Sequence, residues 1–235
     1  MADANELLPE PRRAVAEACH RLAGEGLLIG TAGNVSVRDG DRIAVTATGA
    51  VLGRCTPDQV TVVGPDGGTL AGSLEPTSEL ELHLGIYQRY DAGAVVHTHS
   101  PQATALSLVL DELPCVHYQQ LLLGGSVRVA PFAAFGTPEL ARHVLTALDG
   151  RSAALMAHHG AVAFGPTLAK AVENALLLEW LCGLYLRAAH IGKPRALDDD
   201  QQTAVITSAL RRGYGTTHPR SGYGTTQPTG EDGTR

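Results

Sequence analysis

The stretch that most constrains this chain is His97-Thr98-His99, which closes the apolar run Ala94-Val95-Val96 and opens onto Ser100-Pro101. Apolar residues giving way to alternating polar ones read as a buried strand running out to a wet edge. In an extended backbone successive side chains take opposite faces, so His97 and His99 share one face and Thr98 takes the other. Two imidazoles side by side at a strand end can take one metal ion. The bland alternative is a pair of hydrogen-bonded histidines at a strand terminus. Two further stretches weigh against it: Glu79, at a helix start in Glu75-Pro76-Thr77-Ser78-Glu79, and His158-His159-Gly160, after the apolar run Ala153-Ala154-Leu155-Met156-Ala157. Three histidines and one carboxylate at the ends of buried elements are the usual composition of a catalytic zinc site with a position open to substrate.

The remaining properties narrow the setting. At 235 residues the chain is long enough for one sizeable core. A formal net charge of −6 without a basic stripe argues against nucleic-acid binding. It does not exclude an anionic small molecule, because backbone N–H groups and a helix start hold phosphate without net positive charge. Cys19, Cys55, Cys115 and Cys182 are widely spaced and read as reduced, buried thiols. The acidic start Met1-Ala2-Asp3-Ala4-Asn5-Glu6 is no secretory signal, and no apolar run reaches membrane-spanning length, so the expected compartment is the cytoplasm, with no membrane partner.

Periodicity places the motifs on elements. Val15, Cys19, Leu22 and Ala23 recur at helical spacing over 12–26, and Gly24 and Gly26 stop the pattern. Residues 31–38 lead into a strand, Asp39-Gly40-Asp41 turns it, and Arg42-Ile43-Ala44-Val45-Thr46 returns, giving a hairpin. A strand is expected at 60–63, a helix over 77–90 with Glu79 in its first turn, and a helix from Pro101 after the histidine strand. Further helices are expected over 137–148 and from Thr167 to His190, the last too apolar for a single buried stripe. The glycine- and threonine-rich tail has little to bury.

Taken in order, Thr31-Ala32-Gly33-Asn34-Val35-Ser36, Thr46-Ala47-Thr48-Gly49, Pro76-Thr77-Ser78-Glu79, His97-Thr98-His99-Ser100, His117-Tyr118, and His159-Gly160 with Gly165 resemble the class II aldolase/adducin family of zinc-dependent sugar-phosphate aldolases. Each motif is weak alone; their order and spacing carry the resemblance, which covers roughly residues 12 to 215. It implies a single α/β domain with a mainly antiparallel central sheet flanked by helices. The division expected is an N-terminal extension at 1–11, a catalytic domain at 12–215 and a flexible tail at 216–235. It also implies a homotetramer with active sites between neighbouring subunits.

The resemblance further implies zinc held by His97, His99 and His159, with Glu79 as the acid/base beside the metal. Taken alone, Glu79 reads first as a favourable charge near a helix start. The family usually has Asn before the last histidine; His158 stands there and is left out of the ligand set, on the ground that strand neighbours face opposite ways. His83 is read as structural or substrate-adjacent, and His117 is also omitted. Gly33, Asn34, Thr48, Gly49, Thr77 and Ser78 correspond to the segments that converge on the phosphate. Ala47 and Thr77 depart conservatively from the family's usual Pro and Ser. Tyr118 resembles a tyrosine that a neighbouring subunit contributes near the aldehyde end. Tyr214 resembles a C-terminal tyrosine that closes over it, with Tyr223 as a competitor in a repeated context.

The activity implied is reversible cleavage of L-fuculose 1-phosphate to dihydroxyacetone phosphate and L-lactaldehyde. Cleavage leaves charge on a ketone oxygen as an enediolate, which a divalent zinc on neutral histidines can hold. A lysine Schiff base is not needed, and Lys170 and Lys193 sit in or after the long helix. Aldolases for 5-deoxyribulose 1-phosphate or 5-methylthioribulose 1-phosphate would use the same core. A 4-epimerase would fit Asp better than Glu79, and a dehydratase would use similar histidines. An adducin-like scaffold would be expected to have lost the ligands that survive here.

Overall fold

Among the described residues the hydrogen-bonding capacity of short β-branched runs is met by one sheet of nine strands, in the order β4-β3-β2-β1-β5-β9-β8-β7-β6. The structure is a computed structural model and describes residues 7–212. Helix α1 spans Pro9–Gly24, and the hairpin β1 (Asn34–Asp39) and β2 (Arg42–Thr46) follows. Strands β3 (Val60–Val63) and β4 (Thr69–Ala71), helix α2 (Leu80–Arg89) and strand β5 (Ala94–Thr98) come next. After α3 (Pro101–Ser107) the chain forms β6 (Glu112–Leu113), β7 (Val127–Ala130), α4 (Pro138–Ala147), β8 (Ala153–Met156) and β9 (Gly160–Gly165). The described residues close with the long α5 (Leu168–Ile191) and with α6 (Asp199–Arg212). Only β7 and β8 run parallel; every other neighbouring pair is antiparallel.

Side-chain alternation divides the core into two layers. Val35 on β1, Ala94 and Val96 on β5, and Ala161 and Ala163 on β9 pack with Val15 and Leu22 of α1, Leu106 of α3 and Leu178 of α5. Their strand neighbours Val95 and Val162 pack with Leu82 and Ile86 of α2 and Leu140 and Val144 of α4. Burying both faces turns the period-two pattern of each strand into two apolar sets. The second layer matters most for function, because His97 alternates with Val96 and so faces α2.

Two boundaries differ from expectation for identifiable reasons. Helix α1 begins at Pro9, since proline is tolerated in a first turn where its missing N–H has no partner to lose. Helix α2 begins at Leu80 rather than 77, with Glu79 as its cap residue. The backbone just before it is committed elsewhere: Thr48 N–H donates to Glu75 O and Thr77 N–H to Thr46 O, which ties 75–77 to the end of β2. The free thiols are as expected, with all four cysteines buried. Among the described residues no helix is long and apolar enough to cross a membrane.

Candidate active site and metal centre

Antiparallel pairing brings the motifs together. Asn34 on β1 sits opposite His97 on β5, and His97 sits opposite Val162 on β9. The bridge between Ala47 and Pro76 carries Thr77, Ser78 and Glu79 to the same sheet end. Two glycines permit the close approach. A Cβ on Gly33, whose φ is +96°, would stand 2.7 Å from His97 O, and a Cβ on Gly160 would stand 2.2 Å from Thr98 O. Any other residue at 160 would push β9 away from β5 and take His159 with it.

The outcome is a cluster of Glu79, His97, His99 and His159 whose ligand atoms all lie within 4.8 Å of one another. His97 Nε2 is 3.1 Å from His99 Nε2 and 3.1 Å from Glu79 Oε2. His159 Nε2 is 3.5 Å from Glu79 Oε1, a buried oxygen with no hydrogen-bond partner. His97 Nδ1 lies 2.9 Å from Ala161 O, which fixes its proton on Nδ1 and leaves the Nε2 lone pair facing the cluster. Converging lone pairs around an orphaned carboxylate oxygen suit a bound cation. The donor set therefore fits a divalent metal, which the three histidines could hold with the Glu79 carboxylate beside them.

The electrostatics agree. Burial, reinforced by His97 and His159, pulls His99 down to about 4. Burial and His97 do the same to His159, also to about 4. Both rings are then neutral at pH 7. Burial also opposes charge on His97, but the adjacent Glu79 carboxylate outweighs it and the histidine is raised. Burial would raise Glu79 as well; its contacts to His97, His159 and Asn34 overcome that and hold it below the usual carboxylate range.

A cavity of about 490 Å³ opens beside the cluster. Gly33, Asn34, Thr48, Gly49, Thr77 and Ser78, all expected at the phosphate, line it together with Glu79, His99 and His159. Thr77 has a local task too, since its Oγ1 accepts the Glu79 N–H at 3.3 Å.

Other expectations fall elsewhere. Tyr118 lies on the surface in the 3₁₀ turn Tyr118–Leu123, its ring tilted by 33° against that of His117, and within one chain it does not line this cavity. Tyr214, its competitor Tyr223 and the tail at 216–235 lie outside the described residues. His158 contributes no atom to the cluster of Glu79, His97, His99 and His159, and its setting differs from the strand position expected for it. It is in a turn between β8 and β9 with φ of +57°, not on a strand, and its ring meets Phe132 edge-on with centroids 6.1 Å apart. Sequence reasoning missed Phe132, Ala133, Ala134 and Phe135, which also line the cavity from the loop between β7 and α4. Their only sequence signal is two phenylalanines in a loop, exposed by 66% and 70%.

Fold and site together define a class II aldolase: the chain belongs to the Class II Aldolase and Adducin N-terminal domain family, whose model matches residues 13–186. This is an aldehyde-lyase family whose aldolases use a divalent metal. Among its relatives, the L-fuculose phosphate aldolase of Escherichia coli is 39% identical over 205 residues, 86% of this chain and 94% of that protein. The 5-methylthioribulose-1-phosphate/5-deoxyribulose-1-phosphate aldolase of Rhodospirillum rubrum is 38% identical over 197 residues, 83% and 89% of the two chains. A solved L-fuculose 1-phosphate aldolase matches the fold with a TM-score of 0.81 at 31% identity, covering 86% of this chain and 96% of that one.

Proposed function

We propose that this chain is a zinc-dependent lyase that reversibly cleaves L-fuculose 1-phosphate to dihydroxyacetone phosphate and L-lactaldehyde. The observation that carries the proposal is the composition of the cavity beside the cluster: hydroxyl- and glycine-bearing segments, the histidine and glutamate residues, and the apolar loop 132–135 all line it. A ketose 1-phosphate with an apolar end requires those three surfaces. The Thr48 and Ser78 hydroxyls and the backbone around Gly33 and Gly49 take the phosphate oxygens, at a helix start that favours an anion. Phe132 and Phe135 receive the terminal methyl group. His97, His99 and His159 would hold the zinc, which would supply Lewis-acid stabilisation for charge left on the ketose oxygens. Glu79, through its unpartnered Oε1, carries the proton to and from the carbon that becomes the hydroxymethyl carbon of dihydroxyacetone phosphate.

The second reading keeps this core and changes only the aldehyde end. The Rhodospirillum rubrum relative favours it, and methyl or methylthio termini suit the same apolar loop. The deciding experiment compares kcat/KM of the zinc-loaded protein for L-fuculose 1-phosphate, 5-deoxyribulose 1-phosphate and 5-methylthioribulose 1-phosphate. L-Fuculose 1-phosphate is expected to lead; a reversed order would select the second reading. Release of water or epimerisation at C4, without dihydroxyacetone phosphate, would overturn both.

The same reading includes a cytoplasmic homotetramer with sites shared between subunits and Tyr118 supplied by a neighbour. Its support is the exposed apolar surface formed by Tyr118, Leu122, Trp180, Ile206 and Leu210. Sedimentation should give four chains per particle. A fully active monomer would remove Tyr118 from the site.

A further inference from the structure

Beneath the metal cluster, between β1 and α2, four buried polar side chains form a chain that ends on Glu79. Tyr87 OH lies 2.7 Å from Ser36 Oγ, Ser36 Oγ 2.6 Å from His83 Nδ1, His83 Nε2 2.5 Å from Asn34 Oδ1, and Asn34 Nδ2 donates to Glu79 Oε2 at 3.0 Å. Ser36 and His83 are 0% exposed, Asn34 3% and Tyr87 6%, so water does not share these bonds. The arrangement follows from two periods: Asn34 and Ser36 are two apart on a strand, and His83 and Tyr87 four apart on a helix.

Donor and acceptor capacity gives the chain a direction. An ionised carboxylate only accepts, so Asn34 must turn its NH₂ to Glu79 and its oxygen to His83. That oxygen requires a proton on His83 Nε2, which leaves Nδ1 as the acceptor for the Ser36 hydroxyl. Ser36 in turn accepts from Tyr87. Every donor points toward Glu79, and only one histidine tautomer is compatible with that.

We propose that His83 is a positioning residue for Glu79, acting through Asn34: the Tyr87-Ser36-His83 chain fixes the imidazole tautomer, and the tautomer fixes which end of the Asn34 amide meets the carboxylate. The inference rests on Glu79 being the proton carrier. Removing the Ser36 hydroxyl lets the imidazole proton move to Nδ1, the Asn34 amide turns to follow it, and the amide oxygen then faces the carboxylate and displaces it.

The test is proton exchange from dihydroxyacetone phosphate into deuterated water without aldehyde, together with cleavage kcat, KM and metal content. Ser36→Ala deletes one oxygen and is expected to lower exchange and kcat about 10–100-fold, the range typical of residues supporting a metal site, with metal retained and KM little changed. His83→Phe should lose at least as much, and His83→Gln, whose amide can still donate to Asn34, should recover most of it. In an Asn34→Ala background, Ser36→Ala should have no further effect, whereas a merely structural role would lower activity by the same factor in both backgrounds. Wild-type kcat in Ser36→Ala, or equal losses with and without Asn34, would overturn the proposal. Tyr87→Phe with the same cycle decides the matter if His83→Phe does not fold. Wild-type exchange in Glu79→Gln would instead remove the proton-carrier reading, whereas an inactive Glu79→Gln beside a fully active Ser36→Ala would remove the positioning chain alone.

Discussion

Two groups of histidine lie within a few side chains of one another and differ in how their polar atoms are satisfied. His83 uses both ring nitrogens, one toward Ser36 and one toward Asn34, and is closed to solvent. His97, His99 and His159 turn nitrogens toward each other and toward Glu79 Oε1, which has no hydrogen-bond partner. A closed network sets orientation, whereas an open one leaves lone pairs for a ligand. Burial alone does not separate them, since His97 is as buried as His83. The difference lies in what the β5–β9 and β1–α2 packings place opposite each ring.

The largest effect that would break this contrast concerns the open group. His97→Ala, His99→Ala or His159→Ala should each abolish stoichiometric metal binding and with it cleavage, while the far-UV circular dichroism is kept. Metal analysis after dialysis checks this. Full metal content in His159→Ala would place the third ligand elsewhere, as would its loss in His158→Ala.

The closed group predicts a smaller effect that depends on acid. Burial, with His97 adding, pulls His83 down to about 3. A histidine depressed in the folded state stabilises the fold above its unfolded pKa of roughly 6.5, and that stability is lost as pH falls toward the folded value. Between pH 7 and pH 5 the unfolded chain takes up a proton that folded His83 refuses, which costs about 2 kcal/mol. Urea unfolding of wild type and His83→Phe at both pH values tests the sign: the variant should lose less stability on acidification. An equal loss would show that His83 is protonated in the folded protein.

The smallest effect is at His158. Its φ of +57° is a left-handed conformation that Asn tolerates better than His. His158→Asn should leave metal content unchanged and raise stability by about 0.5 kcal/mol, a fraction of the usual left-handed cost. Thermal unfolding of both proteins measures it, and destabilisation would mean that the contact with Phe132 outweighs the backbone relief.

Much of this arrangement was legible in the sequence, for reasons that also explain what was not. Alternation made His97 and His99 same-face residues, and an acidic residue after Pro76-Thr77-Ser78 marked a helix start. Thr137-Pro138 gave α4 almost to the residue. Strand β9 was missed because Gly160 read as the glycine of a tight turn beside the histidines, whereas it is the first residue of the strand. Helix α6 was missed because none of its residues is buried, which leaves its stripe of Val205, Ile206, Ala209 and Leu210 weak among polar neighbours. Phe132 and Phe135 lie in a loop where periodicity has nothing to say. The donor direction through Ser36 and His83 needs register between a strand and a helix some fifty residues apart, as the separation of 47 between Ser36 and His83 shows.

The central claim is that the open cluster is catalytic and that Glu79 moves a proton there. The direct measurement is exchange of the hydroxymethyl proton of dihydroxyacetone phosphate into deuterated water by zinc-loaded wild type and Glu79→Gln, without aldehyde. Proton transfer by a positioned side chain contributes about 10²–10⁴-fold, so the variant should retain zinc bound by the three histidines and lose exchange by that factor. Exchange at the wild-type rate in a zinc-loaded Glu79→Gln protein would contradict the account.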